Sequence, residues 1–497
     1  MKRRRFLPAL LLAAAPAAAS AQTQPSMPPA IELAAEALNK GNCQGVVEHL
    51  EPAFATPAFT ALAPRQQGAS YFMFGYCKAS LRDNAGALAV VDKGLDTAPD
   101  FAPLWNLRLG IALDLGRSEE ALITLERMLR TAPAASSAID LRWLGILNRR
   151  LKAEDALHTR LLDAVTAPDF HPALGDFAVD WYRESYAARL AGEGRMQEAA
   201  RQVDGITSTD VLRKISVDPK LWAMLPLNYD WARASERYVS ALSRQLSVAR
   251  LRDVDRLRLT TYLATELMHM GRPQQAIDML VNSAPPRVDS EEPKAPVLAG
   301  ENWWWDALGR AYALAGRYDD AVAAFREGVA SGDINHDRVS QRVNLAHFQV
   351  RFGHGKDALR TLAELDEGSL HASPYGIMEY RLARGCAAAQ LGKTKQAEAD
   401  LAYMRAHVGD HPEAYNDLLM CMNRTDEAAA EMIRRLDNPE QRADALLQLS
   451  DYAPLPEGVP PTPYAETLNI LRGREDMKAA IENAGGIRAF PILPPSL

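Results

Sequence analysis

Bulky and small residues recur along this chain with the spacing of paired helices. In residues 305–325, large side chains lie at positions i, i+3 and i+7 of a first segment, so they share one face of a helix. Gly316 follows, and Ala321 lies in a second segment that ends at Phe325. Glycine adopts the positive φ angle at which a helix ends, and a small alanine lets the next helix pack closely. This pattern predicts a helical hairpin with its corner at Gly316.

The same spacing of five residues from glycine to alanine occurs six times. The pairs are Gly116 and Ala121, Gly194 and Ala199, Gly271 and Ala276, Gly316 and Ala321, Gly353 and Ala358, and Gly392 and Ala397. Alanine-rich segments with few runs of β-branched residues favour an all-α class. Because repeated hairpins stack on one another, we predict an all-α solenoid of helical hairpins.

The segment from Trp305 to Phe325 resembles the tetratricopeptide repeat. It matches the W-x-x-L-G-x-x-Y and A-x-x-x-F positions of that family, although Asp333 stands where a proline usually closes the unit. Three Thr-Ala-Pro tripeptides with the period of that family lie at residues 97–99, 131–133 and 166–168, and each is interpreted as closing a repeat unit. The resemblance covers most of residues 30–440 and implies a right-handed α-solenoid of about ten TPR-like hairpins.

Proline-rich and polar segments interrupt this rhythm. Residues 206–229 are polar, with room for a degenerate hairpin at 231–250, and residues 284–300 carry four prolines that exclude a helix interior. The predicted organisation is a signal peptide at 1–21, an N-terminal TPR-like solenoid at 22–283, a proline-rich loop or joint at 284–300, a C-terminal solenoid at 301–440, and a linker, capping helix and loose tail at 441–497.

The first 21 residues have the pattern of an export signal. A cationic start precedes a short apolar stretch, and Ala19 and Ala21 put small residues just before the position, after Ala21, where a signal peptidase would cut. The run Arg3–Arg5 also resembles a twin-arginine signature, so the general secretory and twin-arginine routes both stay open. The net charge is −7, and losing the four basic residues of this segment would leave −11, which argues against nucleic acid as a partner. We predict a protein that is periplasmic or secreted and does not span the membrane.

The four cysteines are one repeat apart in two pairs. Cys43 and Cys77 are separated by 34 residues, and Cys386 and Cys421 by 35. Residues one period apart lie on neighbouring hairpins, so disulfides within these pairs suit an oxidising compartment. The alternative is four buried thiols.

Three consecutive tryptophans, Trp303 to Trp305, are the most unusual local feature. The repeat core needs only Trp305. By the family resemblance, the first helix of each hairpin lines a concave groove. The residues expected there are Trp303, Asp306, Arg310, Thr261, Thr265, His347 and Arg351. An aromatic ring beside paired charges suits a peptide or a sugar ring. The alternative is that Trp303 or Trp304 covers the proline-rich joint.

No catalytic or cofactor motif accompanies the repeats. His407 and His411 are four residues apart, but Gly409 and Pro412 break the helix that would align them on a metal ion. The sequence Gly353-His354-Gly355-Lys356 is interpreted as a hairpin turn because it lacks the upstream glycine and the hydroxyl residue of a phosphate loop. We therefore expect no metal, cofactor or catalytic residue. The favoured function is a protein-binding scaffold of the cell envelope, and the alternative is a glycan-handling accessory of an envelope export system.

Overall fold

The computed structural model describes residues 28–226, 228–248, 251–285, 297–335, 338–365 and 372–494. The predicted signal peptide lies outside these residues, as does most of the predicted joint at 284–300. The structure forms two compact units, the first up to Tyr182 and the second from Arg183.

The first unit is a stack of TPR-like helical hairpins. Its helices are α1 (Pro29–Asn39), α2 (Cys43–Ala53), α3 (Pro57–Thr60), α4 (Pro64–Ser80), α5 (Asn84–Thr97), α6 (Ala102–Asp114), α7 (Ser118–Thr131), α8 (Leu141–Leu151) and α9 (Asp155–Thr166), with 3-10 turns at Pro133–Ala138 and Asp176–Val179. Hairpins form from α1 with α2, α4 with α5, α6 with α7, and α8 with α9. The helix α10 (Asp180–Gly192) begins at the end of this unit.

The second unit continues the same construction. Its helices are α11 (Met196–Asp204), α12 (Thr209–Val217), α13 (Trp231–Leu246), α14 (Asp253–His269), α15 (Pro273–Asn282), α16 (Glu301–Leu314), α17 (Tyr318–Asn335), α18 (Arg338–Arg351), α19 (Gly355–Leu362), α20 (Pro374–Gln390), α21 (Thr394–Ala406), α22 (Pro412–Cys421), α23 (Thr425–Asp437), α24 (Arg442–Leu449), α25 (Ala465–Gly473) and α26 (Glu475–Ala484). Two 3-10 turns lie at Trp222–Met224 and Val408–Asp410. The short strands β1 (Asp451–Tyr452) and β2 (Ala489–Phe490) pair in parallel.

The six predicted corners are confirmed. Their glycines all have φ between 66° and 81°, and the alanines five residues later are at most 1% exposed. The small Gly309 is required as well, because a Cβ atom there would lie 2.9 Å from the ring of Phe325. The helices α5, α7 and α9 end at Thr97, Thr131 and Thr166, as the tripeptides predict.

Three further corners have the same geometry without the predicted pair of residues. Arg82 and Asn423 have φ of 69° and 56°, and each precedes by five residues an alanine that is fully buried, Ala87 and Ala428. Gly41 has φ of 70° and precedes the buried Val46. The φ angle at the corner position is thus similar from hairpin to hairpin, although the type of residue there varies.

Both predicted disulfides are present. Cys43 is bonded to Cys77 with a Cα–Cα distance of 4.8 Å, and Cys386 to Cys421 at 5.4 Å. The first joins α2 to α4 and the second joins α20 to α22. Each therefore ties one hairpin to the next, in the way that the repeat period predicts.

The prediction that Trp305 is the buried tryptophan of the repeat core is wrong. Trp304 is 1% exposed, whereas Trp305 is half-buried and meets it edge to face, with ring centroids 4.8 Å apart. The reason is that α16 packs against α14 and α15 as well as α17. Neighbouring helices therefore cover more of its surface than one hairpin partner would.

Two predictions for the irregular segments are corrected. The degenerate hairpin at 231–250 is a single helix, α13, that packs on α14. The tail that begins at Pro491 is not loose up to residue 494, because Ile492 and Leu493 are at most 4% exposed. Burial of these apolar side chains holds the tail against the fold.

The C-terminal part of the second unit returns to the first helices of that unit. The backbone N–H of Leu493 donates to the carbonyl oxygen of His269 at 2.8 Å, and Arg488 Nε donates to the carbonyl oxygen of Ser216 at 3.0 Å. The helix α24 packs against α12. Between α24 and α25 lies an irregular segment, residues 453–464, called the crossing segment below.

Candidate functional site

A cavity of about 430 Å³ lies between the crossing segment and the first helices of four consecutive hairpins, α16, α18, α20 and α22. The side chains of these four helices that line the cavity, together with His411 immediately before α22, are called the first-helix face. The lining residues of that face are Arg310, Ala313, Leu314, Asn344, His347, Phe348, Arg351, Tyr375, Glu379, Leu382, His411, Glu413, Ala414 and Asp417. The family resemblance predicted that first helices line a groove, and the first helices of these four hairpins contribute to the walls of this cavity.

Arg310 is positioned at one end of the cavity by a buried carboxylate. Its Nε donates to Asp306 Oδ2 at 2.6 Å, one turn earlier on α16. Asn344 of α18 donates to the other oxygen of Asp306 at 2.8 Å. Asp306 is 6% exposed, and its negative charge raises the pKa of Arg310. The guanidinium thus stays charged and fixed in direction.

Arg351 connects the first-helix face to the crossing segment. Its Nε donates to the backbone carbonyl oxygen of Pro460 at 2.9 Å. Burial lowers the pKa of Arg351, and the nearby charge of Arg310 adds to that effect. The chain therefore presents a peptide carbonyl to the half-buried guanidinium of a cavity-lining residue.

Glu379 on α20 lies between two histidines from the neighbouring first helices. His411 Nε2 lies 2.7 Å from its Oε1, and His347 Nε2 lies 2.9 Å from its Oε2, an ion-pair distance without good hydrogen-bond alignment. Burial opposes ionisation of Glu379, but the two imidazoles outweigh it and hold the pKa of this carboxyl well below its usual value. Glu379 is therefore ionised at neutral pH and serves as a bridge across three helices.

Two further carboxyl groups lie on α22. The side chain of Glu413 is 44% exposed and lines the cavity. Burial raises the pKa of Glu413, and the charges of Asp444 and Glu379 contribute. Asp417 is 6% exposed and accepts from Gln448 Nε2 at 2.6 Å, and burial together with the charge of Glu413 raises its pKa well above the usual value.

Aromatic rings complete the walls. The ring of Tyr375, at the start of α20, stacks on the imidazole of His411 with centroids 4.4 Å apart and remains 55% exposed. Burial and the charges of Glu379 and Glu413 raise the pKa of Tyr375 to about 12. On the crossing segment, Tyr464 also lines the cavity, and burial and the charge of Asp417 hold the pKa of Tyr464 well above its usual value. Both phenols are therefore neutral hydrogen-bonding groups.

The structure brings together only some of the predicted groove residues. Arg310, His347 and Arg351 line the cavity, and Asp306 lies behind Arg310. Trp303 is 45% exposed but is not a lining residue. It lies seven residues before Arg310, which places it on the same side of α16 but about 10 Å nearer the N-terminus.

Thr261 and Thr265 are also not lining residues. Both are half-buried on α14, and each hydroxyl donates to a carbonyl oxygen one turn earlier on the same helix, at 2.9 Å and 3.0 Å. Their hydrogen-bonding capacity is used within α14.

The sequence prediction missed Glu379, His411, Glu413, Asp417 and Tyr375. His411 attracted attention only as half of a metal motif, yet His407 bonds instead to the carbonyl oxygen of Tyr403. Among the described residues, no group of three or more His, Cys, Asp or Glu is arranged to hold a metal ion. Their position in the repeats could have indicated them. These side chains lie on, or immediately before, the first helices of later hairpins, just as Arg310 lies on the first helix of its hairpin.

No helix in the described parts of the chain is both long enough and apolar enough to cross a bilayer. No family model matches the chain, and no curated protein matches it.

Solved structures provide the remaining comparison. One match is the structure of Naa15/Naa10 bound to HypK-THB, with 14% identity and a TM-score of 0.27, covering 91% of this chain and 66% of that chain. The chain thus spans just under two thirds of the length of that match. Another is the TPR domain of P58(IPK), with 14% identity and a TM-score of 0.18, covering 82% of this chain and all of that one. The fold itself is established by the hairpins and corners described above.

Proposed function

We propose that this protein is a non-catalytic binding scaffold that holds a segment of a partner protein in the cavity on its first-helix face. One observation carries this proposal: the site already accommodates a segment of polypeptide, since Pro460 of the crossing segment presents its carbonyl to Arg351. The cavity beside the crossing segment has a size typical of sites for small ligands or a few side chains. A short segment therefore fits the remaining space better than a whole helix.

The cell envelope of a bacterium is the proposed location. The pattern of residues 1–21 supports export, and two disulfides suit an oxidising compartment. Intact-mass measurement of exported protein tests this location. The proposal requires a chain that begins at Gln22, and a mass that includes residues 1–21 would contradict it.

A glycan-handling role is the second candidate. The half-exposed ring of Tyr375, with Glu413 and Asn344 in the same cavity, has the composition of a platform for a sugar ring. A protein partner is preferred because the crossing segment provides a direct example of a polypeptide contact at the site.

Site-specific photo-crosslinking in cells tests the proposed function. A photoreactive phenylalanine analogue replaces Tyr375, and the control carries it at Ile470 on α25, which is similarly exposed at 53% but is not a lining residue. We expect a discrete protein adduct at position 375 and none at 470. Equal adducts at both positions, a glycan adduct, or no adduct at 375 would overturn the proposal.

A further inference from the structure

The charges that line the cavity are unevenly distributed. Arg310 and Arg351 lie on α16 and α18, whereas Glu379, Glu413 and Asp417 lie on α20 and α22. The three carboxyl groups with the ring of Tyr375 are called the acidic end below. A group that binds there meets carboxyl oxygens on one side and an aromatic face on another.

The carboxyl groups of the acidic end differ in how far the protein satisfies them. Glu379 has an imidazole near each oxygen, and Asp417 accepts from Gln448. The cation nearest to Glu413 is Arg435, whose Nη2 lies 4.0 Å from Oε2. That guanidinium is 2% exposed, is not a lining group, and donates from Nη1 to Gln448 Oε1 at 2.7 Å.

Glu413 therefore has the most exposed side chain of the three carboxyl groups, and its ion pair with Arg435 is long, at 4.0 Å. A charged carboxylate in such a place is costly unless a cation or donors come to it. Tyr375 provides the second, independent feature, because its half-exposed ring face attracts cations. Neither feature suits an anionic or purely apolar group.

We propose that the acidic end binds a primary ammonium or guanidinium group, such as the side chain of a lysine or arginine in the partner segment. This inference rests on the proposed function and specifies the chemistry of its ligand. The net charge of −7 for the whole chain favours approach of a cationic partner in the same sense. The ammonium group would lie against Glu413 and Tyr375, with the peptide backbone toward Arg310.

Three capped tripeptides test this inference on the exported full-length protein. Their central residue is lysine, norleucine or glutamate, so the first two differ chiefly in the charged group. Isothermal titration calorimetry compares their affinities. We expect lysine to bind about tenfold more tightly than norleucine, and glutamate not to bind, because a charge-assisted contact exceeds a neutral one by roughly this factor.

The variant Glu413→Gln should remove the advantage of lysine without lowering the melting temperature. The matched control is Glu482→Gln, an exposed residue of α26 that is not a lining residue, and it should leave the binding of lysine unchanged. Tyr375→Phe should keep the affinity, whereas Tyr375→Leu should weaken it, since only the former retains a ring face.

Equal binding of lysine and norleucine, a preference for glutamate, or no detectable binding of lysine would overturn the inference. So would an unchanged affinity in Glu413→Gln. The crosslink at position 375 separates the two proposals. If an adduct forms at position 375 and any of these results is found, only the proposal of a cationic ligand is contradicted. If no adduct forms, the proposed scaffold function is itself contradicted.

Discussion

The hairpin corners and the first-helix face of the second unit follow opposite rules. At the corners, small or apolar residues recur with one spacing, and the backbone repeats to within 15° in φ at the six predicted glycines. On the first-helix face, corresponding helices carry different groups: Arg310 on α16, His347 on α18, Glu379 on α20 and Glu413 on α22. The corners therefore share one backbone conformation and one residue pattern, whereas each helix of the first-helix face carries a different chemical group.

The contrast separates what stabilises the fold from what could recognise a ligand. A buried alanine at a corner contributes the same close packing in every hairpin. Its repetition therefore stabilises the fold and has no bearing on which ligand is recognised. Charged groups within a cavity cost free energy of desolvation unless they are paired, so their retention calls for a function.

The largest effect is expected for the buried tryptophan of α16. Trp304→Ala should lower the free energy of unfolding by about 3–5 kcal/mol, because it removes a fully buried aromatic side chain. Trp303→Ala is the matched control and should cost less than about 1 kcal/mol, since that side chain is half-exposed. Urea unfolding followed by circular dichroism measures both. An equal decrease in the free energy of unfolding for both variants would show that both tryptophans are core residues.

The disulfide that joins α20 to α22 should rank next. Replacing Cys386 and Cys421 by alanine removes a disulfide between residues that are 35 positions apart. In the chain-entropy model, this should lower the free energy of unfolding by about 3 kcal/mol. A thermal melt should show the loss, and peptide mapping under non-reducing conditions should find the native pairs. Free thiols or crossed pairs in the exported protein would contradict the stacking of hairpins described here.

The bridge at Glu379 belongs to the first-helix face and should have an intermediate, pH-dependent effect. Its pKa is lowered in the folded state, so its contribution is complete above the ordinary value of 4.5 and is lost as the pH falls through the lowered value. Glu379→Gln should cost about 1–3 kcal/mol at pH 7, as for hydrogen bonds to charged groups. Urea unfolding between pH 3 and pH 7 measures the difference, which should shrink below about pH 4.5. A difference that is constant with pH would contradict the ionised bridge.

The smallest effect is expected at the corners without glycine. Arg82→Gly should raise the free energy of unfolding by about 0.5 kcal/mol, because glycine relieves the cost of φ at 69° but loses more entropy on folding. Gly316→Ala is the reverse change and should cost about 1 kcal/mol from backbone strain alone, since a Cβ atom there meets nothing within 4 Å. Thermal melts compare the two. Destabilisation by Arg82→Gly would show that its side chain, not its backbone, matters.

The same contrast explains how much the sequence could predict. The corner at Gly316, the disulfide partners and the ends of helices at Thr97 and Thr131 follow from local spacing and one repeat period, so they could be predicted. Arg82 adopts the corner geometry against its own preference, and nothing in its type indicates this.

The acidic end could not be predicted from local patterns. It forms because α20, α22 and the crossing segment meet, so Tyr464 reaches Asp417 from 47 positions away in the sequence. The position of Trp303 shows the converse, since it shares a side of α16 with Arg310 but lies beyond the cavity. Spacing specifies the side of a helix, whereas the extent of a cavity depends on which distant segments cover it.

Filling the cavity is the most direct test of the central claim that the first-helix face is the binding region. Leu382→Trp enlarges a lining side chain of α20 into the cavity whatever the chemistry of the ligand, and Leu33→Trp is the control on the exposed surface of α1. Both are combined with the photoreactive residue at position 375. We expect Leu382→Trp to abolish the adduct, with a melting temperature close to that of the control. The control variant should form the adduct unchanged. An adduct that persists with the cavity filled would contradict the central claim.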